Sequence, residues 1–151
     1  MKRAEALRPL SREHLKALLA AKRLREASDR EDATRSFLEF WRSEGQQHFR
    51  VEEEVLLPTW ATHATIDRPR VARMLDEHLA IRAAALRLEA GEVPLAELPA
   101  IGALLHDHVR FEERELFPII EEALDAASLN HLAAAIEAAE VADSPQRPSR
   151  R

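Results

Sequence analysis

The sequence predicts an all-α protein, an up-down-up-down four-helix bundle with a short C-terminal fifth helix. Three observations predict it. The 151 residues are dominated by Ala, Leu, Glu and Arg and hold three Gly and no Tyr, a composition that favours helices over strands. Apolar residues recur at helical spacing between clusters of Pro, Gly, Ser and Asp. The chain also repeats itself. His48-Phe-Arg-Val-Glu-Glu-Glu-Val-Leu-Leu-Pro58 matches His108-Val-Arg-Phe-Glu-Glu-Arg-Glu-Leu-Phe-Pro118, and Glu13-His14-Leu15 matches Glu77-His78-Leu79. A helical hairpin used twice, with short connections, gives such a bundle.

The first helix is expected to open at Pro9 and Ser11, with Ser11 as its N-cap. Leu7, Leu10, His14, Leu18, Ala21 and Leu24 mark its inner face. Ala27 to Arg30 breaks it. The second helix turns Phe37, Trp41, His48, Val51 or Glu52, and Val55 inward, and is expected to weaken near Pro58, which removes a backbone donor. Asp67 and Pro69 start the third helix, which carries Val71, Met74 or Leu75, His78, Ile81, Ala85 and Leu88 and stops at Gly91. Pro94 and Pro99 precede the fourth, whose inner face is Ile101, Leu105, His108, Phe111 or Glu112, Leu116 and Ile119. A fifth helix is expected over about 128–141. The bundle is read as one domain, 1–142, followed by a disordered basic tail, 143–151.

Composition excludes several classes. The chain has no Cys, which rules out disulfides and thiolate chemistry by its own residues, so any metal must be held by nitrogen and oxygen. A net charge of -5 argues against nucleic acid as a partner. No apolar run reaches membrane-spanning length, and the start lacks an apolar signal core. No membrane partner is expected, and the cytoplasm is the expected location.

The chemistry lies in the repeat. His14 and His48 are equidistant from Glu31 in the first connection, and His78 and His108 are equidistant from Val93 in the third. Antiparallel helices of equal rise bring such residues to one level. Glu52 and Glu112 each follow a His by four positions and share its face. Four imidazoles and two carboxylates therefore converge in the core. Unpaired, each would cost roughly several kcal/mol of desolvation. Two divalent ions resolve that cost, with Glu52 and Glu112 bridging and two His on each ion. The expected cofactor is a pair of iron ions with a bridging oxo or hydroxo group, manganese and zinc being the alternatives. An octahedral iron so held keeps one open position for a diatomic or peroxide ligand.

These residues resemble the hemerythrin-like (HHE cation-binding) family. His14, His48-x-x-x-Glu52, His78 and His108-x-x-x-Glu112, with Glu-Leu-Phe-Pro at Glu115 to Pro118, look like its signatures over about Leu10 to Glu122. The oxygen carriers of that family have a second His one turn along the third helix, where this chain has Arg82. The four-His, two-Glu set is more similar to bacterial di-iron proteins of nitric-oxide stress, which usually carry a Cys-containing segment that this sequence lacks. The resemblance implies a non-haem di-iron protein that binds, senses or detoxifies O2, NO or peroxide, or buffers iron. The alternatives are a di-iron oxidoreductase reducing NO or peroxide with an unknown redox partner, and a structural bundle holding zinc.

Other residues have blander readings. His63, His106 and His131 are expected at the surface or in packing. Glu53, Glu54, Glu113 and Glu115 are expected as solvated flanks pairing with Arg50, Arg110 and Arg114, with Glu53 and Glu113 as alternative partners of the ligands. Trp41, two turns before His48, is expected in the core, a gate to the metals being the sharper reading.

Overall fold

Helix starts and breaks in the computed structural model, which describes residues 2–142, follow the local chemistry closely. After a short 3-10 turn, Glu5–Leu7, come five helices: α1 (Arg8–Arg25), α2 (30–63), α3 (Arg68–Glu89), α4 (98–123) and α5 (Ala126–Ala142). No strand occurs among the described residues. No described helix is long and apolar enough to cross a membrane. The basic tail expected at 143–151 lies outside the described residues.

Asp29 and Asp67 cap α2 and α3, their carboxylates accepting from the backbone N–H groups of Asp32 and Arg70. Gly91 ends α3 with a φ of 70°, where a side chain would be strained. Ser11 is not a cap. The 3-10 turn leads straight into α1, so Leu7 is the flanking residue and Pro9 lies in the first turn. The fifth helix is not short either: it begins at Ala126 and, at 17 residues, nearly matches the 18 of α1.

Pro58 does not end the second helix. Over Glu52–Leu56 the helix widens into a π turn, with the Leu57 N–H donating to the Glu52 carbonyl. Over Glu112–Leu116 it does the same ahead of Pro118, with Phe117 donating to Glu112. A proline ring clashes with the carbonyl four residues back, and the wider i→i+5 turn makes room. The extra residue also rotates the next turns of the helix. Leu56 and Ile120 are fully buried, whereas Val55 and Ile119, expected inward, are half-buried. On α2, the positions His48, Glu52, Leu56 and Trp60 all face the core, as do His108, Glu112, Leu116 and Ile120 on α4. A period of four has replaced one of 3.6.

Two apolar clusters flank these polar residues. One gathers Leu24, Phe37, Trp41, Ile81, Leu88 and Leu105. The other gathers Leu10, Trp60, Met74, Phe117 and Ile120, closed by Leu132 and Ile136 of α5. Between α1 and α4 the backbones approach closely: a Cβ on Gly102 would lie 2.6 Å from the Ala21 carbonyl oxygen and 2.8 Å from Arg25 Cγ. Gly102→Ala is therefore expected to destabilise the protein by about 1–3 kcal/mol, despite the better helix propensity of Ala. Thermal denaturation reads this as a fall in Tm, and an unchanged or higher Tm would mean that the two helices do not pack so tightly.

Candidate metal centre

The repeat places its six polar residues together. His14, His48, Glu52, His78, His108 and Glu112 are the buried polar or charged residues among those described, and none exposes more than 7% of its surface. His14 comes from α1, His48 and Glu52 from α2, His78 from α3, and His108 and Glu112 from α4. The imidazoles pair within each hairpin, with ring centroids 4.8 Å apart for His14–His48 and again 4.8 Å for His78–His108.

The carboxylates tie the pairs together. Glu52 Oε1 lies 2.7 Å from His48 Nε2 and 3.8 Å from His78 Nε2. Glu112 Oε1 lies 2.7 Å from His108 Nε2 and 3.6 Å from His14 Nε2. Each Glu thus stands between a His of its own hairpin and one of the other. Nonetheless, the four Nε2 atoms and the four carboxylate oxygens make no hydrogen bond. Buried polar atoms are almost always paired, so eight unpaired atoms facing one another mark a place built for something other than a hydrogen bond. His14, His48, Glu52 and Glu112 form one group with ligand atoms within 4.8 Å of one another, and His78, His108 and Glu112 form a second. Neutral nitrogen and anionic oxygen donors suit iron, manganese or zinc.

The outer side of each ring is also occupied. His48 Nδ1–H donates to Glu13 at 2.5 Å, and His108 Nδ1–H to Glu77 at 3.0 Å. His78 Nδ1–H donates to Glu53 at 2.8 Å, and His14 Nδ1–H to Glu113 at 2.6 Å. A carboxylate on Nδ1 holds the proton there and aims the Nε2 lone pair inward, the arrangement that orients metal-binding imidazoles. Glu53 and Glu113 are thus not solvated flanks. They are held in turn by Arg82 at 2.6 Å and Arg3 at 2.9 Å. Of the expected flanks, Glu54 does pair with Arg50, while Glu115 faces Arg70 and Arg73. Sequence reasoning missed Glu13 and Glu77 altogether, although their repeat beside His14 and His78 was the available signal. Rings complete the packing: Phe49 stacks on His78 at 3.8 Å and Phe117 on His14 at 5.4 Å.

His106 faces away, beside Asp107, and His63 and His131 pack against each other at the surface. Trp41 is buried in the first apolar cluster, stacked on Phe37.

Burial dominates the electrostatics. It pushes the Glu52 carboxyl well up, and the neighbouring Glu112 charge pushes the same way. Burial, the largest single effect, pulls His108 down, but the Glu112 charge, the contacts with Glu112 and Glu77 and the Glu52 charge together outweigh it and hold the imidazole at about 10. Burial lowers His78 to about 4. Burial and the neighbouring charges therefore favour a bound proton on both His108 and Glu52 while no cation is present. Cation uptake near pH 7 is expected to release protons, and affinity to fall as pH drops, because His108 must lose a proton held up to about pH 10. Calorimetric titration in two buffers of different ionisation enthalpy measures the release; identical heats in both would contradict it.

Against this geometry, the hemerythrin HHE cation-binding domain matches residues 6–120. The chain belongs to the hemerythrin HHE cation-binding family. The matched span runs from the 3-10 turn into the last turn of α4 and includes all six convergent residues. No curated protein and no solved structure matches the chain. Arg82, one turn along α3 from His78, is turned toward Glu53. Its guanidinium grips Glu53 and lies 5.7 Å from the Phe49 ring, so it holds the support of His78.

Proposed function

We propose that this HHE protein is a non-haem di-iron protein that binds, senses or detoxifies O2, NO or peroxide, or buffers iron, in the cytoplasm. The observation that carries this reading is the set of eight unpaired, inward-facing donor atoms, each imidazole backed by its own carboxylate. The matched levels of the His pairs support an up-down-up-down order of α1 to α4.

His14 and His48 would hold one ion, and His78 and His108 the other, with Glu52 and Glu112 shared between them. Bound iron would supply Lewis-acid and one-electron redox chemistry there. The chain's own residues do the rest. Glu13, Glu53, Glu77 and Glu113 fix the ring tautomers, and the two apolar clusters keep bulk water from the ligand atoms. Manganese or zinc would fit the same donors less specifically.

Metal analysis of protein from iron-supplemented cells tests the reading. The expected result is about two iron ions per chain with near-ultraviolet and visible absorption from a bridged ferric pair. Zinc alone, or one ion held by three of the six residues, would refute it.

A further inference from the structure

The four imidazoles are not held alike. His48 and His108 each have a carboxylate one turn along their own helix, and Glu52 and Glu112 lie 2.7 Å from their Nε2 atoms. His14 and His78 have none, since Leu18 and Arg82 occupy that position. The inward carboxylates that approach them belong to the other hairpin and stay 3.6 and 3.8 Å away. Helix geometry therefore leaves these two rings without a local tie. Around both of them the same arrangement appears. Glu53 accepts from His78 Nδ1–H at 2.8 Å, and Phe49 lies flat on the ring, 3.8 Å between centroids. The Arg82 guanidinium reaches both, 2.6 Å from Glu53 and 5.7 Å from the centre of Phe49. Around His14 the parts are Glu113 at 2.6 Å and Phe117 at 5.4 Å. Here Arg3 reaches both, 2.9 Å from Glu113 and 5.4 Å from the centre of Phe117.

Each guanidinium thus grips one imidazole by two routes, its edge through a carboxylate and its face through a ring, both rings lying within cation–π range. Arg3 is fixed further: it donates to the Glu113 carbonyl at 2.7 Å, inside the π turn before Pro118, and pairs with Glu121. The internal repeat explains just one part of this likeness. Setting His48 against His108 pairs Glu53 with Glu113, but it pairs Phe49 with Val109 and Phe117 with Leu57. Setting His14 against His78 pairs Arg82 with Leu18 and Arg3 with Asp67. Ring and guanidinium therefore come from non-equivalent positions in the two halves, Arg3 from the segment ahead of the 3-10 turn. A copied hairpin would have carried the same positions with it. One arrangement reached twice by different residues points to a shared requirement at the two imidazoles. Arg73 also pairs with Glu77 behind His108, an imidazole that Glu112 already fixes from the inner side.

We propose that Arg3 and Arg82 are positioning residues of the metal centre, each setting the orientation of the one imidazole in its pair that has no carboxylate on its own helix. The inference rests on the di-iron reading and deepens it. Neither guanidinium faces the inward donor atoms. Arg3 acts through Glu113 and Phe117 on His14, and Arg82 through Glu53 and Phe49 on His78. Partners behind a ligating imidazole govern how firmly the metal is held and in what geometry. Glutamine at either position keeps much of the side-chain length but removes the charge and the planar fork that meets carboxylate and ring together.

Full-length wild type, Arg3→Gln, Arg82→Gln and a control, Arg42→Gln, are loaded with Mössbauer-active iron. Arg42 forms an exposed pair with Glu89, outside the centre. Transfer of iron to an excess of a coloured ferrous chelator measures how firmly it is held, and the Mössbauer quadrupole splitting reports the ligand geometry. Arg3→Gln and Arg82→Gln are expected to release iron at least about tenfold faster than the wild type, with a changed splitting, while Arg42→Gln matches the wild type. Arg3→Lys and Arg82→Lys keep the charge without the fork. They should fall between wild type and glutamine variant, and they are read in place of a glutamine variant that does not fold. Release at the wild-type rate would overturn the positioning role. So would faster release with an unchanged splitting, which marks a loss of stability alone, or a control as fast as the other variants. A wild type that takes up no iron overturns the functional reading, and this inference with it.

Discussion

Glu112→Ala is expected to strip metal from both halves of the centre, not from one. Glu112 belongs to both groups of convergent donors, and its Oε1 stands between His108 at 2.7 Å and His14 at 3.6 Å. Its side chain is fully buried, so nothing from solvent replaces it at low cost. Without it, the first half keeps two imidazoles and Glu52, and the second keeps two imidazoles with Glu52 as the remaining carboxylate on the Nε2 side, 3.8 Å from His78 Nε2. Each ion also loses charge compensation in a site of low dielectric, where pairing matters most. Elemental analysis after gel filtration should show metal falling from about two ions per chain to a small fraction of one. Glu54→Ala is the control, because Glu54 is exposed and faces Arg50 at 3.8 Å. A Glu112→Ala protein that retains its full metal content would show that the carboxylate is structural.

Removing the metal is expected to destabilise the fold. Six buried polar residues then lose their cation, and their inward-facing atoms are left without hydrogen bonds to offset the desolvation. A ligand present at a thousand times its dissociation constant adds about 4 kcal/mol to the folded state, and in a domain of this size that is about 10 °C of Tm. Calorimetry before and after verified chelation measures the shift. The loss should be reversed by adding iron back, which separates it from damage by the chelator. Coincident melting curves with and without metal would mean that the buried cluster is satisfied on its own.

The legible part of this protein is what lies close in the chain. Asp67 as a cap, Gly91 as a stop and the His-x-x-x-Glu pairs each depend on neighbours a few residues away, and helical geometry converts such spacing directly into position. The level-matching of His14 with His48 and of His78 with His108 needed just one further assumption, antiparallel packing. Errors began where local rules met a partner outside the window. Ser11 has the residue type of a cap, but Glu5–Leu7 starts the turn earlier. Val55 and Ile119 follow a 3.6-residue period that the π turns before Pro58 and Pro118 interrupt.

By itself, then, the sequence determined the all-helical class, the repeat, the six convergent residues and the exclusion of thiolate ligands, because composition, period and spacing are properties of the chain alone. Tertiary structure decided the rest. Which carboxylate backs which imidazole depends on side chains meeting across helices: Glu13 supports His48 rather than its neighbour His14, and Glu113 reaches His14 from α4. A helical period says which way a side chain points; only packing says what it meets there and how much room is left.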